Sequence, residues 1–257
     1  MELRPLGRTG LKISPIGFGA FKIGRNTKVK YPSSYELPDE ATVGRLLNAV
    51  LDLGICYIDT APAYGLSEER IGRALAHRRQ EFVLSTKVGE RFENGESSYD
   101  FSAAAVRDSI FRSLRRLRTA CLDVVFIHAP AEDLEALRST EVVETLQVLK
   151  SQGAVRFIGL SAKTVAAAQL AMDWADALMV EYQVSDDSFA DVIEIAGQRG
   201  IGVVIKKALA SGHLPSARAI PFALSPPAVS SIVVGTLNIH HLRENLDHAR
   251  STPVAPD

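Results

Sequence analysis

A carboxylate, an ammonium and an imidazole stand at the ends of apolar runs in this chain, a loop between them offers a phenol, and together they could move a proton. Ile55-Cys56-Tyr57-Ile58-Asp59 is a short apolar run ending on a carboxylate, and Thr60-Ala61-Pro62-Ala63-Tyr64-Gly65 then turns a tyrosine back toward that end. Phe82-Val83-Leu84-Ser85-Thr86-Lys87 ends on a lysine, and Leu122-Asp123-Val124-Val125-Phe126-Ile127-His128 ends on a histidine. A charge at the mouth of an apolar strand is costly unless something pairs with it. A free tyrosine titrates near ~10, too high for an efficient acid at neutrality, and a neighbouring ammonium is expected to lower that value. Lys87 would supply the ammonium and Asp59 its counter-charge. His128 could donate a hydrogen bond to a substrate carbonyl or relay a proton to Tyr64. Such a group would protonate an oxygen while the adjoining carbon receives a nucleophile. If the nucleophile is hydride, a nicotinamide cofactor must carry it, because no side chain does.

Taken singly, these residues have plainer readings. Asp59 suits a turn or cap, Tyr64-Gly65 a surface turn, Lys87 a solvated strand end and His128 a hydrogen-bonded core position. Only their recurrence in successive units favours the joint reading.

The elements that must position them alternate with little interruption. A hairpin is expected from Leu3–Leu6 and Leu11–Ser14 around Gly7-Arg8-Thr9-Gly10, followed by a strand at Ile16–Gly19. Helical spacing then runs through Ala41–Leu53. Ser67–Ala76 is expected to be the next helix, with Ser67 at its start and acids in its first turn. Strands over 82–87, 122–128, 155–160, 177–182, 201–205 and 231–234 alternate with helices over 103–118, 140–151, 164–172, 188–198, 217–224 and 239–249. Counted from Ile16, this is eight strand–helix units, which predicts a parallel (β/α)8 TIM barrel with an N-terminal β-hairpin, in one domain over residues 1–257. A doubly wound open sheet is the rival, but no G-x-G-x-x-G opens a first helix. In a barrel the C-terminal strand ends share one rim, so Asp59, Lys87 and His128 would be neighbours there. Gly24–Pro38 and Glu90–Asp100 read as irregular segments over that rim.

The composition is that of an ordinary globular protein: 257 residues, 46% hydrophobic and 23% charged, with a net charge of −1. It predicts neither a nucleic-acid nor a membrane partner, and the oligomeric state is left open. No run approaches the ~20 apolar residues that span a bilayer, and the first residues lack a signal-peptide core. Cys56 and Cys121 read as buried small hydrophobes in a reducing compartment, so a cytoplasmic location is expected. Arg112, Arg115, Arg116 and Arg118 read as a solvated helix face. Asp186-Asp187 reads as a cap for a helix beginning at Ser188. His240, His241 and His248 lack ligand partners at zinc spacing, so no metal is expected. Trp174 reads as structural.

Several motifs make the reading more specific. Gly54–Gly65, Ser85-Thr86-Lys87-Val88 and Phe126-Ile127-His128-Ala129-Pro130 resemble those of the aldo-keto reductases. So do the opening Leu6–Ser14 with Gly17-Phe18-Gly19, and Gly235-Thr236 with His241-Leu242-Arg243-Glu244-Asn245. The resemblance covers essentially the whole chain. It implies a (β/α)8 barrel that reduces carbonyls with NADPH, less often NADH. Tyr64 would be the proton donor, with Lys87 and Asp59 tuning it and His128 orienting the carbonyl. Ser161, Lys206 and Leu209 would hold the nicotinamide half, and Gly212 and Leu214 would border the pyrophosphate. Gly235, Thr236, Asn238, His241, Glu244 and Asn245 would line the adenosine end, where a helix N-terminus favours phosphate. Five residues depart from the family pattern: Ala162 and Met179 stand where amides are usual, Lys206 where an aromatic often stacks, and Gly235 and His241 where basic residues often grip the 2′-phosphate. NADP is the expected cofactor, with NAD as the alternative, and a small carbonyl or alcohol the expected substrate. An NAD-dependent sugar or polyol dehydrogenase is the second reading, and a cofactor-binding redox-sensing subunit the third. Phe18, Phe21, Phe92, the two irregular segments and the C-terminal tail are the expected specificity determinants.

Overall fold

A computed structural model describes residues 2–29 and 31–250, so the tail expected to shape specificity lies outside the described residues. Eight parallel strands close into a barrel in the order β3 (Ile16–Gly19), β4 (Tyr57–Asp59), β5 (Val83–Val88), β8 (Leu122–His128), β9 (Val155–Ser161), β10 (Ala177–Glu181), β11 (Gly202–Lys206) and β12 (Val229–Val234), which pairs back onto β3. Their sequences are nearly continuous apolar runs, as expected of strands covered on both faces. The covering helices are α1 (Glu40–Asp52), α2 (Ser67–Leu75), α3 (Ala103–Leu117), α4 (Asp133–Ser139), α5 (Val142–Ser151), α6 (Val165–Ala171), α7 (Ala190–Gln198), α8 (Ser216–Leu224) and α9 (Ile239–Arg250).

The N-terminal hairpin of β1 (Arg4–Pro5) and β2 (Lys12–Ile13) forms a separate two-stranded sheet. Its Leu6, Leu11 and Ile13 join Tyr57, Val124, Phe126, Ala177, Met179 and Val204 in the cluster that fills the barrel. That apolar plug leaves the opposite, C-terminal rim for polar groups. Gly17 lets the Tyr57 ring lie across the interior, since a Cβ there would come within 2.5 Å of that ring.

The structure departs from the sequence reading at several elements. Glu90–Asp100 is not irregular: β6 (Glu90–Glu93) and β7 (Glu96–Tyr99) form an antiparallel hairpin. Its turn is Asn94-Gly95, both at positive φ (53° and 84°), as a tight two-residue hairpin requires. The helix expected over 140–151 is α5, and a further short helix, α4, precedes it and ends at Thr140, whose backbone is extended and whose Oγ1 donates to Ala136 O at 2.7 Å. Ser67 does not cap α2. It is buried, with its Oγ donating to Ala20 O and sharing a hydrogen bond with Thr60 Oγ1. Asp186 accepts from Ser188 N in a turn, and the helix begins only at Ala190.

Three further expectations are corrected. Cys56 and Cys121 are partly exposed free thiols rather than buried ones. Arg116 is not merely solvated, because it lies 3.6 Å from the fully buried Glu68 carboxylate. Phe18 is fully buried in the outer core and cannot touch a substrate. Trp174 is partly buried against the core. No helix among the described residues is long and apolar enough to cross a membrane, and none of their His, Cys, Asp and Glu form a group of three able to hold a metal ion.

Candidate active site

Successive inward-facing strand ends bring the candidate residues together. Ladder pairing sets Asp59 beside Ser85, Lys87 beside Phe126, and His128 beside Ser161. Asp59, Tyr64, Lys87 and His128 all line one cavity of about 300 Å³ at the C-terminal rim. Lys87 Nζ lies 2.6 Å from Asp59 Oδ2 and donates also to Thr60 O at 2.9 Å, with both charged side chains buried. Ser85 Oγ donates to Asp59 Oδ1 at 2.7 Å, so the Tyr57 hydroxyl, 2.9 Å from Ser85 Oγ, is the donor behind it. Asp59 is thus held by both oxygens, which is what a buried carboxylate needs. Tyr57 and Ser85 were not singled out from the sequence, although period-two alternation along their strands points them the same way as Asp59 and Lys87.

The ammonium of Lys87 sits 4.8 Å from the centroid of the Tyr64 ring, and the His128 ring meets Tyr64 edge-on at 6.0 Å. Burial works against the charged Lys87, but Asp59 and Tyr64 more than offset it, and its pKa is raised above the ordinary lysine value. The outcome for Tyr64 differs from the expectation. Burial raises its pKa, and the downward pull of Lys87 only partly counters that, with Asp59 opposing it. In this structure the phenol is therefore protonated at neutrality, held ready as an acid rather than half-ionised.

Glu90 is the functional candidate that sequence reading missed. Its Oε2 lies 2.7 Å from His128 Nδ1, an approach off the ideal line of the ring N–H. Burial would raise the Glu90 pKa, but His128, a hydrogen bond from Ser97 Oγ and the charge of Arg25 outweigh it and bring it to about 2. Burial depresses the His128 pKa, opposed by Glu90 and assisted by Lys87 and Lys206. The imidazole is thus neutral at neutrality, and only a protonated Nδ1 can face an ionised carboxylate so closely. Nε2 then carries the lone pair, so donation to a carbonyl requires the imidazolium. The signal that could have revealed Glu90 was Asn94-Gly95, which marks a hairpin and so places Glu90 at a strand start two residues beyond β5.

Gly24–Pro38 reaches over the rim. Arg25 stacks 3.1 Å from the Phe92 ring centroid and donates to Ala63 O, beside Tyr64. Phe21 meets Tyr64 edge-on at 5.0 Å and lines the cavity. A second cavity of about 480 Å³ adjoins the first, sharing Tyr31, Lys207, Ser211, Val233 and Gly235 as lining. Leu209, Gly212, Leu214, Gly235, Thr236, His241, Glu244 and Asn245 line the second cavity, and Ser161 and Lys206 line the first. Asn238 lines neither. Its Oδ1 instead accepts from His240 N at the start of α9. A Cβ at Gly235 would come 3.3 Å from Gly19 O and 3.4 Å from the Tyr31 hydroxyl, so a side chain there would crowd the lining that the two cavities share. A groove running from the proton-transfer group to a helix N-terminus fits an extended dinucleotide.

A family model described as "Aldo/keto reductase family" matches residues 15–220. The chain belongs to this family. The family generally uses NAD(P)H and acts on carbonyl compounds, so the chain is an oxidoreductase. L-galactose dehydrogenase of Arabidopsis thaliana is 30% identical, aligned over 96% of this chain and 87% of its own length. D-threo-aldose 1-dehydrogenase of a Pseudomonas species is 29% identical over 80% of this chain and 68% of its own. A solved structure from Pseudomonas aeruginosa, assigned to the aldo-keto reductases, superposes with a TM-score of 0.90 at 41% identity, covering 97% of this chain and 94% of that one.

Proposed function

We propose that this family member is a cytoplasmic NAD(P)-dependent oxidoreductase that interconverts a small carbonyl compound and its alcohol, with Tyr64 giving the proton to the carbonyl oxygen. The observation that carries the reading is the buried Asp59–Lys87 pair, 2.6 Å apart, whose ammonium lies 4.8 Å from the Tyr64 ring. Charge that develops on the Tyr64 oxygen during transfer meets a fixed ammonium, and Asp59 keeps that ammonium charged and in place. Tyr57 and Ser85 hold Asp59, so the Tyr64 acid rests on a relay of buried hydrogen bonds reaching into the barrel. His128, fixed by Glu90, orients the reacting oxygen from the other side.

The nicotinamide cofactor, when bound, supplies or accepts hydride. Ser161 and Lys206 would border its ring, and Gly212, Leu214, Gly235, Thr236, His241, Glu244 and Asn245 would cradle the remainder along the groove. NADP is favoured because Lys22 and Lys207 bring positive charge to the groove, and NAD is the alternative because Glu244 stands in its lining.

A second reading, oxidation of a sugar or polyol, is favoured by the polar cavity and the neutral imidazole. Arg25, Lys28, Glu90 and Lys163 line the cavity and suit a polyhydroxylated substrate, and a lone pair on His128 Nε2 accepts from an alcohol. The two relatives named for sugars point the same way. The test is a panel of aldehydes, aldoses and polyols assayed in both directions with both cofactors by nicotinamide absorbance. Turnover on at least one class is expected. Nucleotide binding without turnover on any class would sink the enzymatic reading and leave the sensing one.

A further inference from the structure

We propose that Lys206 makes cofactor binding redox-selective, holding the uncharged reduced nicotinamide in preference to the cationic oxidised ring whenever the lysine carries its proton. The inference rests on the reading that a nicotinamide works in this cavity.

Lys206 ends β11 and lines the cavity that holds Tyr64 and His128. Its Nζ donates to Ser161 Oγ at 3.0 Å and to Ala162 O at 2.7 Å, both neutral acceptors. Other partly or fully buried lysines of the barrel are matched differently: Lys87 has Asp59, Lys150 has Asp176, and Lys207 has Glu181. The charged groups facing Lys206 come from every neighbouring strand end. Lys163 follows β9, Glu181 ends β10, Lys207 follows on its own strand, Lys87 stands on β5 with its Asp59, and His128 ends β8. From β12 the lining residues are Val233 and Gly235, which carry no charge. Glu181, the acid nearest in kind, is already engaged by Lys207. Burial, with Lys163, Lys207 and Lys87 adding to it, brings the Lys206 pKa down to about 7. Its charge therefore changes across the physiological range.

The route into the cavity puts the ring against this group. The cavity and the adjoining groove meet at Lys207, Ser211, Val233 and Gly235, at the ends of β11 and β12. Tyr64 and His128 belong to the β4 and β8 side. A dinucleotide lying in the groove enters from the Lys206 side before its ring can reach the oxygen that Tyr64 serves. The oxidised ring carries one positive charge and the reduced ring none, while every other charge of the dinucleotide is common to both forms. A cation beside a cation in a partly desolvated site is repelled, so oxidised cofactor must drive the proton from Lys206, and reduced cofactor need not. By linkage, lower pH weakens the oxidised form selectively, and the bound couple becomes a readier hydride acceptor.

The experiment measures dissociation constants of NADP+, NADPH, NAD+ and NADH by titration calorimetry on the full chain from pH 5.5 to 9. For the wild type, the ratio of oxidised to reduced constants should be larger at pH 6 than at pH 8.5, by up to about tenfold. Lys206→Met should flatten that dependence while both redox forms still bind. Lys206→Arg, which keeps its charge throughout, should hold the ratio high at all pH values. Ionisation of the 2′-phosphate is shared by both redox forms and cancels in the ratio. A wild-type ratio constant within about twofold would overturn the inference without recourse to any variant. So would a Lys206→Met protein that keeps the wild-type slope, since His128 would then be the titrating group. If none of the four nucleotides binds at any pH, the cofactor reading itself falls, and the inference with it.

Discussion

Removing either partner of the Asp59–Lys87 pair should cost far more than removing both. At 2.6 Å the gross attraction is about 6 kcal/mol for an effective dielectric constant of ~20. Both side chains are buried, so much of that offsets desolvation. Asp59→Asn leaves a buried ammonium without its counter-charge, and Lys87→Met leaves a buried carboxylate without one. Each single variant should lose about 3–5 kcal/mol, the range for a buried pair missing one member. The double variant removes both charges and should lie within about 2 kcal/mol of the wild type, giving a coupling of several kcal/mol. Urea unfolding at pH 7, with unchanged m-values, measures all four proteins. If the two losses add within about 0.5 kcal/mol, the pair is not the coupled unit described here. The sign with pH is fixed as well. The Lys87 pKa is raised in the folded state, so its stabilisation is present below its ordinary value of 10.5 and is lost as pH rises through the higher folded value. The Lys87→Met protein should lack this alkaline loss.

Two further outcomes follow from neighbouring groups. Glu90 opposes the burial that depresses the His128 pKa, so Glu90→Gln should move the acidic limb of the kcat/KM profile for alcohol oxidation, where the neutral imidazole accepts, to lower pH, and an unmoved limb would remove Glu90 from the site. Lys206 has a folded pKa of about 7 against an ordinary 10.5. The folded state therefore binds fewer protons than the unfolded state between those values, and stability falls as pH drops through that window and levels off below it. Lys206→Met should be more stable than wild type at pH 6, by about 1–3 kcal/mol after solvent screening, and a less stable variant there would contradict the burial argument.

The proton-transfer group was legible because Asp59, Lys87 and His128 stand at the ends of apolar strands with Tyr64 just beyond one of them, and parallel strands bring such ends to one rim. Their supports were less legible. Tyr57 and Ser85 are reached only once strand alternation is combined with register, since Ser85 pairs with Asp59 across two strands. Glu90 was hidden in a segment read as irregular, although Asn94-Gly95 announced its hairpin. The short helix α4, which ends at the extended Thr140, was not anticipated, because its seven residues are too few to show helical periodicity. The direction of the Tyr64 shift was misjudged for another reason. The lysine is visible in sequence, but the depth of burial that outweighs it exists only in the fold. Asn238 was assigned to the groove by its place in a motif, yet its side chain is spent on the start of α9.

The central claim is that Tyr64 passes the proton, and single-turnover hydride transfer in Tyr64→Phe tests it most directly. The phenylalanine keeps the ring contacts with Phe21 and His128 and removes only the hydroxyl. With cofactor saturating, transfer followed by nicotinamide absorbance should slow by about 10²–10⁴-fold, while the cofactor dissociation constant stays within about threefold of wild type. Transfer at the wild-type rate would contradict the assignment and return Tyr64 to a packing role.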